Sequence, residues 1–469
     1  MSMLTLPVDT LRHTLTGGLI TPEDAGYDDA RAVWNGMIDR RPAVIARCAT
    51  NDDVAVALQF ALAQRLPIAV RGGGHGVAGH AVCDDGLVID LSPMKQITVD
   101  VEARIARAGG GATWGELDAA TQPFGLATPG GVFSRTGIAG LTLGGGYGWL
   151  RHTHGLACDN LLAAEVVTAS GEVIVAEEDS PHAELLWALR GGGGNFGVVT
   201  SFTFQLHPVG PDLAFAVVFH DGAGEKMNAA LRFFRDYCAT APDSINPIAV
   251  TGIIPHEGDA FPEAAKGRPF VMFGALHVGP IPEGEALLQP LREYAEPLAD
   301  FSGVTPYLEV QQLWDADYPD GLRYYWKSLN LPALSDAVID QMVAISQAQP
   351  SPLSTVDLWF VGGAMSRVPA EHAAFHGRHA AALLNLEANW SDPADDAANL
   401  AWVREALAAM APYSDGSRYL NFAGFQEEGD TMMRGAFGPH YARLQAIKRR
   451  YDPENVFRLN QNIMVATAP

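Results

Sequence analysis

Apolar and polar positions divide the chain into two textures. Over the first 210 residues, short apolar runs alternate with glycine-rich stretches. PAVIARC (42–48), LPIAVR (66–71), GLVIDLS (86–92), EVVTASGEVIVA (165–176) and VVTSFTFQL (198–206) read as strands. Helical spacing interrupts them. TNDDVAVALQFALAQ (50–64) opens with a Thr/Asn cap and two aspartates in its first turn. TWGELDAATQPFG (113–125) and SPHAELLWALRGG (180–192) also read as helices, the latter with Ser180 as cap and Pro181 at the first helical position. Residues 212–412 are richer in aromatics. Strands such as LAFAVVFHD, FVMFGALHV and TVDLWFVGGAMSRV alternate there with predicted helices at EGEALLQPLREYAEPLADF and PAEHAAFHGRHAAALLNL. That pattern predicts an α+β region, a sheet backed by helices. The tail GPHYARLQAIKRRYDPENVFRLNQNI predicts a helix stopped at Asp452-Pro453, then an extended Asn-rich stretch.

The glycines carry the first chemical signal. They crowd into residues 71–79, 109–115, 130–148 and 191–197. RGGGHGVAGH (71–80) contains G-x-G-x-x-G after a strand, but a second strand follows where a Rossmann unit needs a helix. LRGGGGNFGVVTSFTF (189–204) runs helix, glycines, strand, the reverse of a Rossmann turn. Four successive glycines pack nothing and cost backbone entropy, so they suit backbone laid against a flat or highly charged group. Several such loops in one region imply a long ligand, which a dinucleotide of the flavin type would satisfy. His75, between Gly74 and Gly76, has little bulk to shield its imidazole. A His75–His80 metal pair is not expected, since this segment cannot be helical. His152 and His154 are polar loop candidates near the same region, and His372, His376 and His379 read as one solvated helix face.

Composition narrows the partners. The 469 residues exceed one ordinary core and predict at least two domains. A net charge of −23 with no basic cluster beyond KRRY (448–451) argues against nucleic acid. No apolar run reaches membrane-spanning length and no secretory signal is evident, so a soluble cytoplasmic protein is expected, monomeric or homodimeric. The four cysteines (Cys48, Cys83, Cys158, Cys238) are far apart, which argues against a disulfide framework or zinc site.

Six motifs in order resemble the berberine-bridge-enzyme-like oxidoreductases of the vanillyl-alcohol-oxidase type. They are RGGGHGVAG, GLVIDLS, TPGG…GIAGLTLGGGYGWL, HGLACDNLLAAEVVTASGE, LLWALRGGGGNFGVVTSFTFQLHP and the tail YARLQAIKRRYDPENVFRLNQNI. The resemblance implies a two-domain α+β fold. Residues 1–208 (FAD core about 40–208) and the returning segment 413–469 would bind FAD, and 209–412 would bind substrate. It implies FAD joined through its 8α-methyl to His75. Arg71, Gly72, Gly73, Gly74, Gly76 and Gly79 would line the cofactor, with Gly130, Gly137, Gly140, Gly146 and Val199 further along and Asn421, Asn460 and Asn462 in the tail near the ring. Many members carry a second, cysteinyl link; Phe133 stands at that position, so a single covalent bond is expected.

A flavin oxidase takes hydride from a carbon bearing O–H or N–H, and O2 then reoxidises the flavin to give H2O2. For an alcohol substrate the expected base is among Tyr324, Tyr325, Lys327, Glu309, Gln312 and Tyr419; a neutral amine can dispense with one. Thr136 matches the position facing the flavin's reactive edge. The rival expectations are a dehydrogenase using a non-oxygen acceptor and a non-redox cyclase or lyase on the same scaffold. The substrate is expected to be a small organic molecule.

Overall fold

The structure, a computed structural model, describes residues 8–425 and 429–465. The strand-forming runs of the first half build two sheets. Val44–Arg47, Leu87–Asp90 and Ile68–Arg71 are parallel neighbours, with Leu19–Ile20 added antiparallel at the edge. Their apolar residues leave both faces covered, as parallel sheets require. Helix Asn51–Gln64 lies on one face, started where predicted: the Thr50 side chain accepts the Asp53 N–H at 3.1 Å. Such a cap contributes about 1 kcal/mol. The second sheet is antiparallel, in the order Ile97–Asp100, Ile105–Gly109, Val198–Gln205, Leu161–Val167, Val173–Glu177.

Residues 212–390 contribute a larger antiparallel sheet, in the order Ala299–Asp300, Asp212–Asp221, Pro269–His277, Ile245–Ile253, Thr355–Phe360, Ala382–Trp390, Arg323–Leu331. Helices Glu225–Thr240, Asp336–Gln347 and Asp396–Met410 cover one face. The other face meets Tyr147, Trp149 and Tyr419, residues from outside this sheet. The fold is therefore α+β. Tail helix Tyr441–Tyr451 packs into the core of the second sheet. A fully buried Lys448–Asp452 pair (2.6 Å) locks the helix end, with Lys448 Nζ also donating to the carbonyls of Asn195 (2.7 Å) and Phe457 (3.0 Å).

Several predicted elements differ: the helix expected over 283–301 ends at Arg292, and the strand expected over TVDLWFVGGAMSRV ends at Phe360 and gives way to a short helix, Gly363–Arg367. PAEHAAFHGRHAAALLNL is a loop running into strand Ala382–Trp390, so His372, His376 and His379 share no helix face. Alanine and leucine gave a helical composition, but the leucines bury alternately on the two faces of the sheet. The helix at 183–189 starts after His182, without a side-chain cap from Ser180. Ser180 Oγ accepts the His182 N–H just before the helix (3.1 Å) and also bonds the turn before it.

A buried acid joins the two halves. Asp118, 1% exposed, receives its described side-chain hydrogen bond from Gln311 Nε2 at 3.0 Å. Burial lifts its ionisation from 3.8 to about 7. The folded state therefore holds this proton more tightly than the unfolded chain. Its stabilisation is complete below pH about 4 and is lost as pH rises toward 7, by at most about 4 kcal/mol. Asp118→Asn is expected to flatten that loss. Thermal melts of both proteins at pH 5 and pH 8 check it; parallel shifts would show that Asp118 is ionised in the fold.

Candidate active site

The loop after strand Ile68–Arg71 is held from behind by its first residue. Arg71 reaches away from the loop, pairing with buried Asp90 (2.9 Å) and donating to the carbonyl of Ala30. Gly73 then meets Gly137 backbone to backbone: a Cβ on either would come within 2.5 Å of the other's nitrogen. This contact brings the 71–79 loop against the loop that opens helix Ile138–Leu143, and only glycine permits it. A third loop, Gly192–Asn195, is tied to the tail. Asn195 Nδ2 donates to the Gln461 carbonyl (3.1 Å), Asn195 Oδ1 accepts the Ile463 N–H (2.9 Å), and Asn460 Nδ2 donates to the Gly194 carbonyl (3.1 Å).

These loops line one long cleft, and the large sheet closes it with Trp326 and Trp359. Gly72, Gly73, Gly74, His75, Gly76, Gly79, Thr136, Gly137, Gly140, Val199, Tyr419, Asn421 and Asn460 all line it. The other proposed residues sit elsewhere. Arg71 anchors the loop; Gly130 packs on the Trp114 ring and Gly146 on Ala157; Asn462 turns toward Met464. Tyr324 lies one ring behind the cleft, its hydroxyl donating to the Pro319 carbonyl at 2.6 Å. Lys327 faces the opposite side of the sheet, its ammonium 4.8 Å from the Tyr325 ring centre, because neighbouring residues of a strand alternate faces. Burial, then Arg418 and Arg404, lowers its ionisation to about 7.

His75 stacks between two rings: Trp34 at 4.3 Å and 14°, Phe133 at 5.8 Å and 27°. Burial drives its ionisation down to about 4, so the imidazole is neutral and nucleophilic at pH 7. Tyr419 is poorly suited as a base. Its phenol oxygen accepts from the N–H groups of Gly146 (3.1 Å) and Tyr147 (3.3 Å) and from Asn421 Nδ2 (2.8 Å). Burial still raises its ionisation to about 12.

The sheet floor carries a constellation that sequence reasoning missed. Asp357 and Glu387 lie on the face that holds Trp326 and Trp359: Trp326 pairs with Glu387, and Asp357 with Asn385. Both acids are buried, and Tyr318 donates to Glu387 at 2.7 Å. Burial, and for Asp357 the neighbouring Glu387 charge, push both ionisations above the ordinary carboxylate range. Oδ1 of Asp357 and Oδ1 of Asn385 have no described partner. The signal is present as Asn385, Glu387 and Asn389 at alternate positions of an otherwise apolar stretch, but the helix expected over 369–386 runs into its start. Trp34 was also missed, since a lone tryptophan in a loop carries no periodicity.

The cleft fits a bound dinucleotide. Cβ atoms built on Gly76, Gly140 and Gly194 meet nothing within 4 Å, and none of the three has positive φ. Neither backbone strain nor internal packing requires glycine there, whereas a ligand lying against the backbone does. Among the described residues, no cluster of three or more His, Cys, Asp or Glu side chains could hold a metal. No helix among them is long and apolar enough to cross a membrane.

The glycine-lined cleft, the stacked histidine and the overlying large sheet fit an FAD-dependent oxidoreductase, the class that the comparisons show. Residues 42–177 match the FAD binding domain model, and residues 418–464 the berberine and berberine-like model. An uncharacterised FAD-linked oxidoreductase of Bacillus subtilis (strain 168) is 31% identical, over 96% of this chain and 97% of that one. The (R)-6-hydroxynicotine oxidase of Paenarthrobacter nicotinovorans is 33% identical over the same shares. The crystal structure of 6-hydroxy-D-nicotine oxidase from Arthrobacter nicotinovorans superposes with a TM-score of 0.87 at 30% identity, covering 97% of this chain and 99% of that one. BBE-like 1 of Physcomitrella patens shares the fold, with a TM-score of 0.86 at 23% identity, over 98% of this chain and all of that one. The chain belongs to the berberine-bridge-enzyme-like family of FAD-linked oxidoreductases, within the vanillyl-alcohol-oxidase type.

Proposed function

We propose that this chain is an oxidase with FAD joined covalently to His75. It would oxidise a C–H bond next to N–H or O–H in a small, partly aromatic substrate, with O2 as acceptor and H2O2 as product. Residues 1–208 and 413–469 form the cofactor half in this reading, and 209–412 the substrate half. The observation that carries it is a pair of features on one cleft: the His75 imidazole, held neutral by burial, on the glycine side, and Trp326 and Trp359 on the sheet side, with the buried carboxyls of Asp357 and Glu387 on the same sheet face beyond the lining residues.

FAD, when bound, supplies the two-electron acceptor and the site of O2 reduction. The chain supplies the rest. Gly72–Gly76, Gly140 and Gly194 give the cofactor close backbone approach. Trp326 and Trp359 offer flat apolar faces that orient a planar substrate and exclude water. Asp357 and Glu387, holding one proton between them, accept hydrogen bonds from a substrate N–H or O–H and take its proton as the C–H bond is oxidised. Tyr318 O–H stabilises the resulting charge on Glu387. The name of the (R)-6-hydroxynicotine oxidase relative makes hydroxylated heteroaromatic amines the first substrates to test.

Purified protein mixed with such amines and with aromatic alcohols in air is expected to release one H2O2 per substrate oxidised. Substrate bleaching of the yellow protein without oxygen-driven recovery would favour a non-oxygen acceptor instead. Product of unchanged mass would sink the redox reading.

A further inference from the structure

Trp34 sits in the N-terminal segment outside every strand and helix, yet it is fastened on all sides. Its indole lies parallel to His75 on one face and to Tyr324 on the other, with ring centres 3.7 Å apart in the second pair. Its backbone N–H donates to the Gly74 carbonyl (3.2 Å), one residue from His75. Its indole N–H donates to the Tyr318 carbonyl (3.0 Å), and its carbonyl accepts the Gly321 N–H (2.9 Å). Asn35, next in the chain, bonds Val77 and Tyr324 through its side chain. The 314–320 segment so gripped is also held from the Phe133 side. Ser134 N–H donates to Asp315 at 2.9 Å, and Arg135 pairs with Asp320 at 2.8 Å. The His75 ring bonds its own backbone, and among the described residues no other side chain hydrogen-bonds it, so its orientation against the rest of the protein is set by stacking.

We propose that Trp34 is the positioning residue for covalent flavin attachment: it fixes the plane of the His75 imidazole against the cofactor and makes attachment depend on the docked 314–320 segment. The inference rests on the His75 linkage proposed above. In that step a C–N bond forms between an imidazole nitrogen and the flavin 8α carbon, and one 8α C–H bond breaks. The imidazole N–H is lost. Two protons and two electrons are left on the ring system, and O2 removes them as H2O2. The protein's share is a neutral nucleophile aimed at one carbon, and misplacement by about 1 Å costs a reaction of this kind roughly a hundredfold.

The test uses apoprotein produced without riboflavin, then given FAD in air, with the fraction of flavin in the acid pellet followed over time. Trp34→Ala is expected to attach flavin at least about tenfold more slowly than wild type while still taking up FAD non-covalently. Trp34→Phe, which restores a flat ring, should recover most of the rate. Trp34→Leu keeps apolar bulk without a plane; if the alanine variant does not fold, it carries the comparison and should remain slow. Wild-type attachment rates in folded Trp34→Ala or Trp34→Leu would overturn the assignment. A wild-type protein that never retains flavin in the pellet would instead overturn the His75 linkage itself, so the two failures are distinct.

Discussion

His75→Ala should release its yellow colour to the supernatant on acid precipitation, whereas the wild-type pellet stays yellow. The change is all-or-none, because one bond is at stake. Two features make His75 the expected reacting group. Burial holds it neutral, with ionisation lowered to about 4, so its lone pair is available throughout the physiological range. The glycines on either side leave the approach to its ring open from the cleft. FAD should still bind without the bond, since the glycine loops that receive it are untouched. Colour retained in the variant pellet would require a second attachment. Phe133, whose ring stacks on His75, offers no thiol beside it. Cys158 is fully buried, and burial raises its thiol well above the ordinary range, so it is no nucleophile.

Glu387→Gln should slow substrate-dependent bleaching by about 10²- to 10³-fold, the range of a lost general base. The pH response gives the sharper test. Burial, and for Asp357 the charge of Glu387, raise the acid pair's ionisations, so the proton-accepting form of the wild type appears above the ordinary carboxylate range and activity climbs with pH. Removing the Glu387 charge relieves Asp357 of its like-charged neighbour. The rising limb should then shift to lower pH, at reduced amplitude. Tyr318→Phe takes away the hydroxyl that favours ionised Glu387, and should move the limb the other way. Stopped-flow bleaching between pH 5 and 9 checks all three proteins. A Glu387→Gln profile superimposable on wild type would remove the pair from the chemistry and leave it a structural feature of the sheet.

Much of the cofactor side was legible in the chain. Glycines need no tertiary context to announce close backbone approach, and a histidine set among them stands out. The substrate side was not. Tyr324 and Lys327 attracted attention as an adjacent aromatic and cation in one short motif. The strand then put Tyr324 behind Trp34 and turned Lys327 to the helix-covered face. Glu387 was passed over because ALLNLEANW, rich in alanine and leucine, lacks the β-branched residues that would have marked it as a strand.

The sequence by itself determined the loops, the strands that carry them and the neutral nucleophile's place, because these depend on residues close together along the chain. Tertiary structure alone decided which side chains meet around the cleft. Trp34 meets His75 and Tyr324, and Asp357 meets Glu387, through pairings between strands and loops 30 to nearly 300 positions apart. No local periodicity encodes such partners. They follow from the register of the large sheet and from its docking on the glycine-rich half.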